Sequence, residues 1–214
     1  MKKIILAIVL MSLAIVSCKK AKNKVEAGEE ITEVKEIENV INSFKVNVEE
    51  SSLTWKGSKP TGSHNGVVSL ESGVFDIEDK LVKAGEFAID MSTISCTDLE
   101  AGKGKEKLET HLKSADFFDV EKFPSAKFAV TNSEAKEGKI HLTGNLTIKD
   151  ITKSITIAAT LVEDSVFTTL KSDVFSIDRT DFGVTYNSKK FDAALKDKFI
   201  NDFMEMSFEI KAKK

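Results

Sequence analysis

The chain has 214 residues, with 31 basic against 34 acidic side chains and a net charge of −3. That length suffices for one domain with a sizeable core, while the nearly balanced charge and the lack of a basic stripe argue against a nucleic-acid partner. Two cysteines make no disulfide framework.

Lys2 and Lys3 precede an almost wholly apolar run, residues 4–16. It is as long as a signal-peptide core and shorter than the roughly 20 residues that span a bilayer. The run ends in Ile15-Val16-Ser17-Cys18, which resembles a lipobox with isoleucine where leucine is usual. Residues 1–17 therefore read as a signal peptide and Cys18 as the lipidated residue. Losing Lys2 and Lys3 takes the 31 basic residues to 29 against 34 acidic ones, net −5. The expected location is the cell envelope, as a lipoprotein facing the periplasm. Lys19 and Lys20 carry no aspartate-type retention signal, which favours the outer membrane over the inner.

Residues 18–43 differ in composition from the rest of the chain. The stretch 19–42 is dense in lysine and glutamate and has no aromatic residue, so a lipidated cysteine on a flexible, solvated tether is expected. Ile31, Val34, Ile37 and Ile41 leave a short amphipathic helix as the alternative.

From Phe44 the hydrophobic period changes to two, which opens a domain at 44–214. The clearest strand is 140–149, where Ile140, Leu142, Gly144, Leu146 and Ile148 alternate with polar residues. Strands are also expected at 44–48, 53–57, 66–77, 82–94, 126–132, 155–161, 166–177 and 204–213. Residues 97–114, with Leu99, Leu108 and Leu112, read as a helical excursion. Residues 189–202 read likewise, because Phe191, Ala194, Leu195, Lys198 and Phe199 lie near an i, i+3, i+4 face. Pro60 and Pro124 both fall near strand boundaries. Two-faced strands in this number must bury one face, in a sandwich or a closed barrel, and periodicity does not choose between them.

Chemical motifs are sparse. His64, His111 and His141 have no HExxH, CxxC or clustered carboxylates beside them, so no metal set is expected. Cys96 follows the apolar run 87–94 and reads as a small buried hydrophobe. Arg179, the only arginine, suits an ion pair with its flanking carboxylates or a phosphate head group. No GxSxG, P-loop or dinucleotide fingerprint occurs, so no catalytic residue and no obligatory cofactor is expected.

Three segments in order resemble the YceI-like family of periplasmic lipid- and polyisoprenoid-binding proteins. The first is His64-Asn65-Gly66 with Gly73-Val74-Phe75. The second is His111-Leu112-Lys113-Ser114-Ala115-Asp116-Phe117-Phe118-Asp119-Val120-Glu121-Lys122-Phe123-Pro124, running into Ala126-Lys127-Phe128. The third is Gly144-Asn145-Leu146-Thr147-Ile148-Lys149-Asp150-Ile151-Thr152-Lys153, continued by Asp178-Arg179-Thr180-Asp181-Phe182-Gly183. Glu109 stands where the family usually has aspartate, and Asp150 where it commonly has glycine.

The resemblance implies an all-β fold: an eight-stranded antiparallel, lipocalin-like β-barrel with one or two short helices. It further implies a long isoprenoid, quinone-like or fatty-acyl chain in the lumen. Eight strands enclose a space just wide enough for side chains or one slender ligand. Phe75, Phe87, Phe128, Phe175 and Phe182 offer area without hydrogen-bond demands and are lumen candidates, with Phe117, Phe118, Gly144 and Leu146. Plain core packing is the alternative for each. His64, His111 and Arg179 are head-group candidates. At about 0.8 kcal/mol per buried CH₂, a chain of roughly forty carbons has an upper bound near ~30 kcal/mol, beyond any observed affinity. Apolar area therefore does not select the lipid. The expected function is a membrane-anchored carrier or store. Its alternatives are a barrel with a filled lumen that serves as a protein scaffold, and a lipid-modifying enzyme using His64 or His111. Oligomeric state stays open, a homodimer included.

Overall fold

In the computed structural model the described residues are 23–33 and 43–213. The expected signal peptide, Cys18 and the candidate helix residues Val34, Ile37 and Ile41 lie outside them. Ten strands occur in chain order: β1 (Phe44–Lys45), β2 (Ser52–Lys59), β3 (Gly62–Glu78), β4 (Leu81–Cys96), β5 (Ser125–Lys136), β6 (Lys139–Ile148), β7 (Ile151–Glu163), β8 (Phe167–Ser172), β9 (Phe175–Asp178) and β10 (Phe203–Lys213). One α-helix, α1 (Lys105–Lys113), sits between β4 and β5.

Every pairing between named strands is antiparallel, and β3 pairs with both β2 and β4, so the sheet closes on itself as a ring of 8 strands. The ring runs β3-β2-β10-β8-β7-β6-β5-β4. Closure removes the free edges at which another chain would pair. β1 bridges β3 to β10 beyond the end of β2: Phe44 opposes Phe75, and Val46 bridges Ala212.

Alternation explains the burial. On β6, Ile140, Leu142, Leu146 and Ile148 are buried, and so are the β7 residues Ala159, Ile157 and Ile155, which pair with Ile140, Leu142 and Gly144. The long β3 and β4 bend through three register shifts, at Val67/Ser69, Leu70/Ser72 and Asp76/Ile77, as bulged strands do when they curve a sheet. Rings of Phe44, Phe75, Phe87 and Phe128 stack in series across β1, β3, β4 and β5, with centroids 5.6, 6.1 and 6.5 Å apart.

Three expectations are corrected. The strand expected at 166–177 is two, β8 and β9, interrupted around Asp173 and Val174; β10 pairs with both, using Phe203–Met206 for β9 and Glu209–Lys213 for β8. Residues 189–202 do not form an amphipathic helix. They hold a 3₁₀ turn at Ala193–Lys198, broken at Lys196 (φ 48°) and burying none of its residues.

The third correction concerns the stretch read as a solvated tether, part of which is docked on the barrel. Val25 N–H donates to Ser176 O and Ser176 N–H to Asn23 O, parallel to β9, at 2.9 and 3.0 Å. Gly28 and Ser154 then exchange both main-chain bonds, at 2.8 and 3.1 Å. Asn145 donates to Ile31 O at 2.7 Å and accepts from Ile31 N–H at 3.0 Å. The segment thus bridges β9 to β7, two strands that do not pair with each other, and crosses to β6. Val25 and Ala27 pack against the core. Paired amides and these few apolar side chains outweigh a composition that by itself favours solvent.

Gly144 is where closeness forbids a side chain. A Cβ there would stand 2.5 Å from Ala129 O and 2.6 Å from Phe128 Cζ. Gly144→Ala is therefore expected to cost about 1–3 kcal/mol through overpacking, read as a lower urea midpoint; unchanged stability would show that the Phe128 ring and the β5–β6 spacing yield easily.

Candidate functional site

The inward faces do not meet at the barrel axis. They leave a cavity of about 440 Å³, within the range of small-ligand sites. Its wall is apolar, with Leu142, Ile155, Ile157, Leu170 and Ile210 from four neighbouring strands. Polar residues gather at one end: Ser58 and Lys59 before the β2–β3 turn, Ser63 and His64 after it, and Asn187, Lys198 and Asn201 from the β9–β10 connection. This is the mouth. This open volume argues against the filled-lumen alternative.

Six of the lumen candidates, Phe87, Phe117, Phe118, Phe128, Leu146 and Phe175, line the cavity. Three do not. Phe75 is fully buried between Phe44 and Phe87 in the ring stack, one layer behind the wall. Gly144 is covered by the Phe128 ring. Phe182, 1% exposed, belongs to the 3₁₀ turn Arg179–Phe182 outside the strands. Periodicity also passes over the sulfur-bearing side of the lumen, where Met91, Met204 and Met206 line the wall.

The connection between β4 and β5 builds part of the mouth. The α1 residues Leu108, His111 and Leu112 and the following Phe117 and Phe118 all face the cavity. Glu109 ties α1 to β4: it accepts from Cys96 N–H and from the Ser95 hydroxyl, both at 2.8 Å, and the Cys96 bond leads in holding its carboxyl below the ordinary range. Lys149 donates to Phe117 O at 2.9 Å. The His111 ring packs edge-on against Phe117 (5.0 Å) and Tyr186 (4.8 Å), and its Nε2 lies 3.1 Å from Asp116. His111 therefore joins the helical excursion to the loop after β9.

His64 meets two groups that lie far from it along the chain. Its Nδ1–H donates to Asp98 Oδ2 at 3.1 Å. Asp98 Oδ1 accepts from the Cys96 thiol at 3.0 Å and from Asn65 N–H at 3.1 Å. Burial pushes the Asp98 carboxyl up, but the bonds from Cys96, Asn65 and His64 outweigh it and hold the group at about 2. Burial first, then the bond to Asp98, pushes the Cys96 thiol up. Cys96 is buried as expected, yet it is a hydrogen-bond donor and not only a small hydrophobe. His141 is half-buried on the outer face of β6.

Arg179 lines the inner side of the mouth at 1% exposure, with four of its five N–H donors engaged. Nε donates to Asn201 O (3.2 Å), Nη1 to Val184 O (2.7 Å), and Nη2 to Ile200 O (3.1 Å) and Asp202 Oδ1 (3.3 Å). The ion pair is thus with Asp202 and not with the flanking carboxylates, since Asp178 is taken by Lys190 at 2.5 Å. A planar fork binding three carbonyls at once is a clamp on the 184–202 loop, and a head-group role is disfavoured because the fork is occupied.

A family model described as the YceI-like domain matches residues 44–212. Over 90 residues the chain is 33% identical to Protein YceI of Salmonella arizonae and, equally, of Salmonella newport; the match covers 42% of this chain and 44% of each relative. The chain thus spans less than half the length of these relatives. Among solved structures, Burkholderia cenocepacia BcnA aligns over 78% of this chain and 99% of its own, with TM-score 0.62 and 17% identity. A polyisoprenoid binding domain from Saccharophagus degradans aligns over 79% and 97%, with TM-score 0.60 and 11% identity. The Campylobacter jejuni YCEI protein aligns over 96% and 99%, with TM-score 0.51 and 19% identity. At these identities the likeness is one of fold.

The mouth can be probed at two residues. Arg179→Lys replaces the fork with a point charge that cannot reach three carbonyls, and should lower unfolding stability by about 2–4 kcal/mol; an unchanged urea midpoint would mean that the clamp is dispensable. Asp98, ordinarily near 3.8, is held at about 2 in the fold, so its charge stabilises above the ordinary value and that contribution is lost as pH falls toward 2. Asp98→Asn should be less stable than the parent near neutral pH, with the gap closing between pH of about 4 and about 2. A gap constant over that window would exclude the carboxylate charge as its origin.

Proposed function

Since the chain belongs to the YceI-like family, we propose that its barrel binds one long apolar lipid, a polyisoprenoid, quinone-like or fatty-acyl chain, along the lumen. The supporting observation is the apolar cavity of about 440 Å³ that the inward side chains leave open. Burial of hydrocarbon against Leu, Ile, Phe and Met side chains supplies the driving force, and it is nondirectional. The polar rim at Ser58, Lys59, Ser63 and His64 keeps a head group wetted while the tail is buried. This chemistry is binding, with the ligand leaving as it entered. The polyisoprenoid binding domain of Saccharophagus degradans shares the fold, which supports an isoprenoid among the ligand classes.

In this reading the chain is a carrier or store held at the cell envelope. Lipidated Cys18 would anchor it, with the barrel facing the periplasm and the outer membrane as the preferred site. An apolar ligand with negligible aqueous solubility needs its protein beside a membrane, and an acyl anchor provides that.

Organic extraction of gently purified protein and mass spectrometry of the extract test the reading. A long-chain lipid near one per chain is expected. Ile157→Trp puts an indole on the cavity wall and should sharply lower occupancy while the far-UV circular dichroism stays that of the barrel. A parent that carries no lipid and takes up none from vesicles would overturn the proposal, as would undiminished occupancy in the folded variant.

A further inference from the structure

We propose that His64, Cys96 and Asp98 form a binding site for a thiophilic divalent metal ion, zinc or a chemical neighbour of it, on the rim of the barrel. Each offers one ligand atom, and the three atoms lie within 4.8 Å of one another. The site shares His64 with the polar rim of the mouth, but its donors and its ion do not depend on a lipid in the lumen.

The geometry suits a small tetrahedral ion. Bonds of roughly 2.0–2.3 Å set ligand–ligand edges of about 3.3–3.6 Å in a tetrahedron. Here Asp98 Oδ2 stands 3.1 Å from His64 Nδ1 and Asp98 Oδ1 stands 3.0 Å from Cys96 Sγ, so one carboxylate faces both other donors, and a turn of it brings a single oxygen toward both. Opening those contacts by a few tenths of an ångström admits an ion in place of the two shared protons. The thiol proton leaves to solvent, and the neutral imidazole moves its single proton from Nδ1 to Nε2 by exchange with water, which frees the Nδ1 lone pair for the ion. Thiolate, carboxylate and the 2+ ion then sum to zero, so a neutral cluster forms around a buried sulfur.

The donors sit on rigid backbone. His64 lies on β3 opposite Gly57, and Cys96 ends β4 opposite Gly66. Thr97 N–H donates to Asn65 O, and the Asn65 side chain donates to Thr97 Oγ1 at 3.0 Å, which pins the two strands where the ligands emerge. Glu109 bonds the Cys96 N–H from behind, a second carboxylate that favours a cation at the sulfur. Access is open on one side only: Cys96 has 0% exposure, while the His64 and Asp98 side chains are 36% and 29% exposed. An ion reaching it therefore meets three protein ligands and a fourth position open to water. Sulfur and imidazole together select zinc, cobalt or copper over magnesium and calcium.

Cobalt(II) titration of the purified full chain tests the site. The expected result is a thiolate-to-cobalt charge-transfer band with tetrahedral d–d absorption, both removed by added zinc(II). His64→Ala changes a partly exposed rim residue and should retain the barrel's circular dichroism while weakening cobalt binding at least ~10-fold. Cys96→Ser should abolish the charge-transfer band, which separates Cys96 from Cys18. No band in the parent would overturn the proposal and leave a hydrogen-bonded triad, and undiminished cobalt affinity in His64→Ala or a charge-transfer band in Cys96→Ser would overturn the ligand assignment.

Discussion

Ring closure sets the barrel radius, and the radius sets what the inside can hold. Eight tilted strands leave a core just wide enough for side chains or one slender guest, and which of the two results depends on the inward residues. Here they are mostly Ile, Leu, Val and Phe, and glycine stands where a neighbouring strand and a ring come too close for a Cβ, at Gly66 beside Ser95 O and Trp55 and at Gly144 beside Ala129 O and Phe128. The wall packs against itself and not across the axis. An apolar channel remains, and the lipid-binding proposal descends from it.

The two ends of the barrel are built differently. At the end nearer the β3–β4 turn, β1 bridges β3 to β10 beyond β2, and Phe44, Phe75, Phe87 and Phe128 stack across β1, β3, β4 and β5. At the other end, long connections carry α1, the Phe117-Phe118 pair and the 184–202 loop. Loops rich in polar backbone cannot plug an apolar channel without unpaired groups, so this end needs tie points. Glu109 on Cys96, Lys149 on Phe117 and the Arg179 fork on three carbonyls supply them. The N-terminal segment adds one more closure. It bridges β9 to β7 on the flank where the ring's own hydrogen bonding is interrupted, since β8 and β9 are offset along β10.

Much of this was legible residue by residue. The expected strand at 140–149 is β6 at Lys139–Ile148, and the other period-two segments fall on strands because alternation is a local property of a half-buried sheet. The helical turns before Ser114 were legible from Leu108 and Leu112, whose spacing is local as well. Residues 189–202 were misread for a related reason. Phe191, Leu195 and Phe199 imitate an apolar stripe, yet Phe191 is 64% exposed and the Lys189 amine caps the Phe199 ring at 3.8 Å. Charge density likewise misled at 23–31, where main-chain pairing, which composition does not encode, holds the segment down.

By itself the amino-acid sequence determined the two-faced strands, the apolar character of their inward side, the family and the absence of local catalytic motifs. Each of these rests on neighbours along the chain or on a pattern of residue types. Only the tertiary structure decided that the sheet closes, that the axis stays open, that Arg179 meets Asp202 and not its flanking carboxylates, and that His64, Cys96 and Asp98 converge. These depend on strand register and ring radius, which bring together side chains tens of residues apart. No spacing rule along a single chain carries that information.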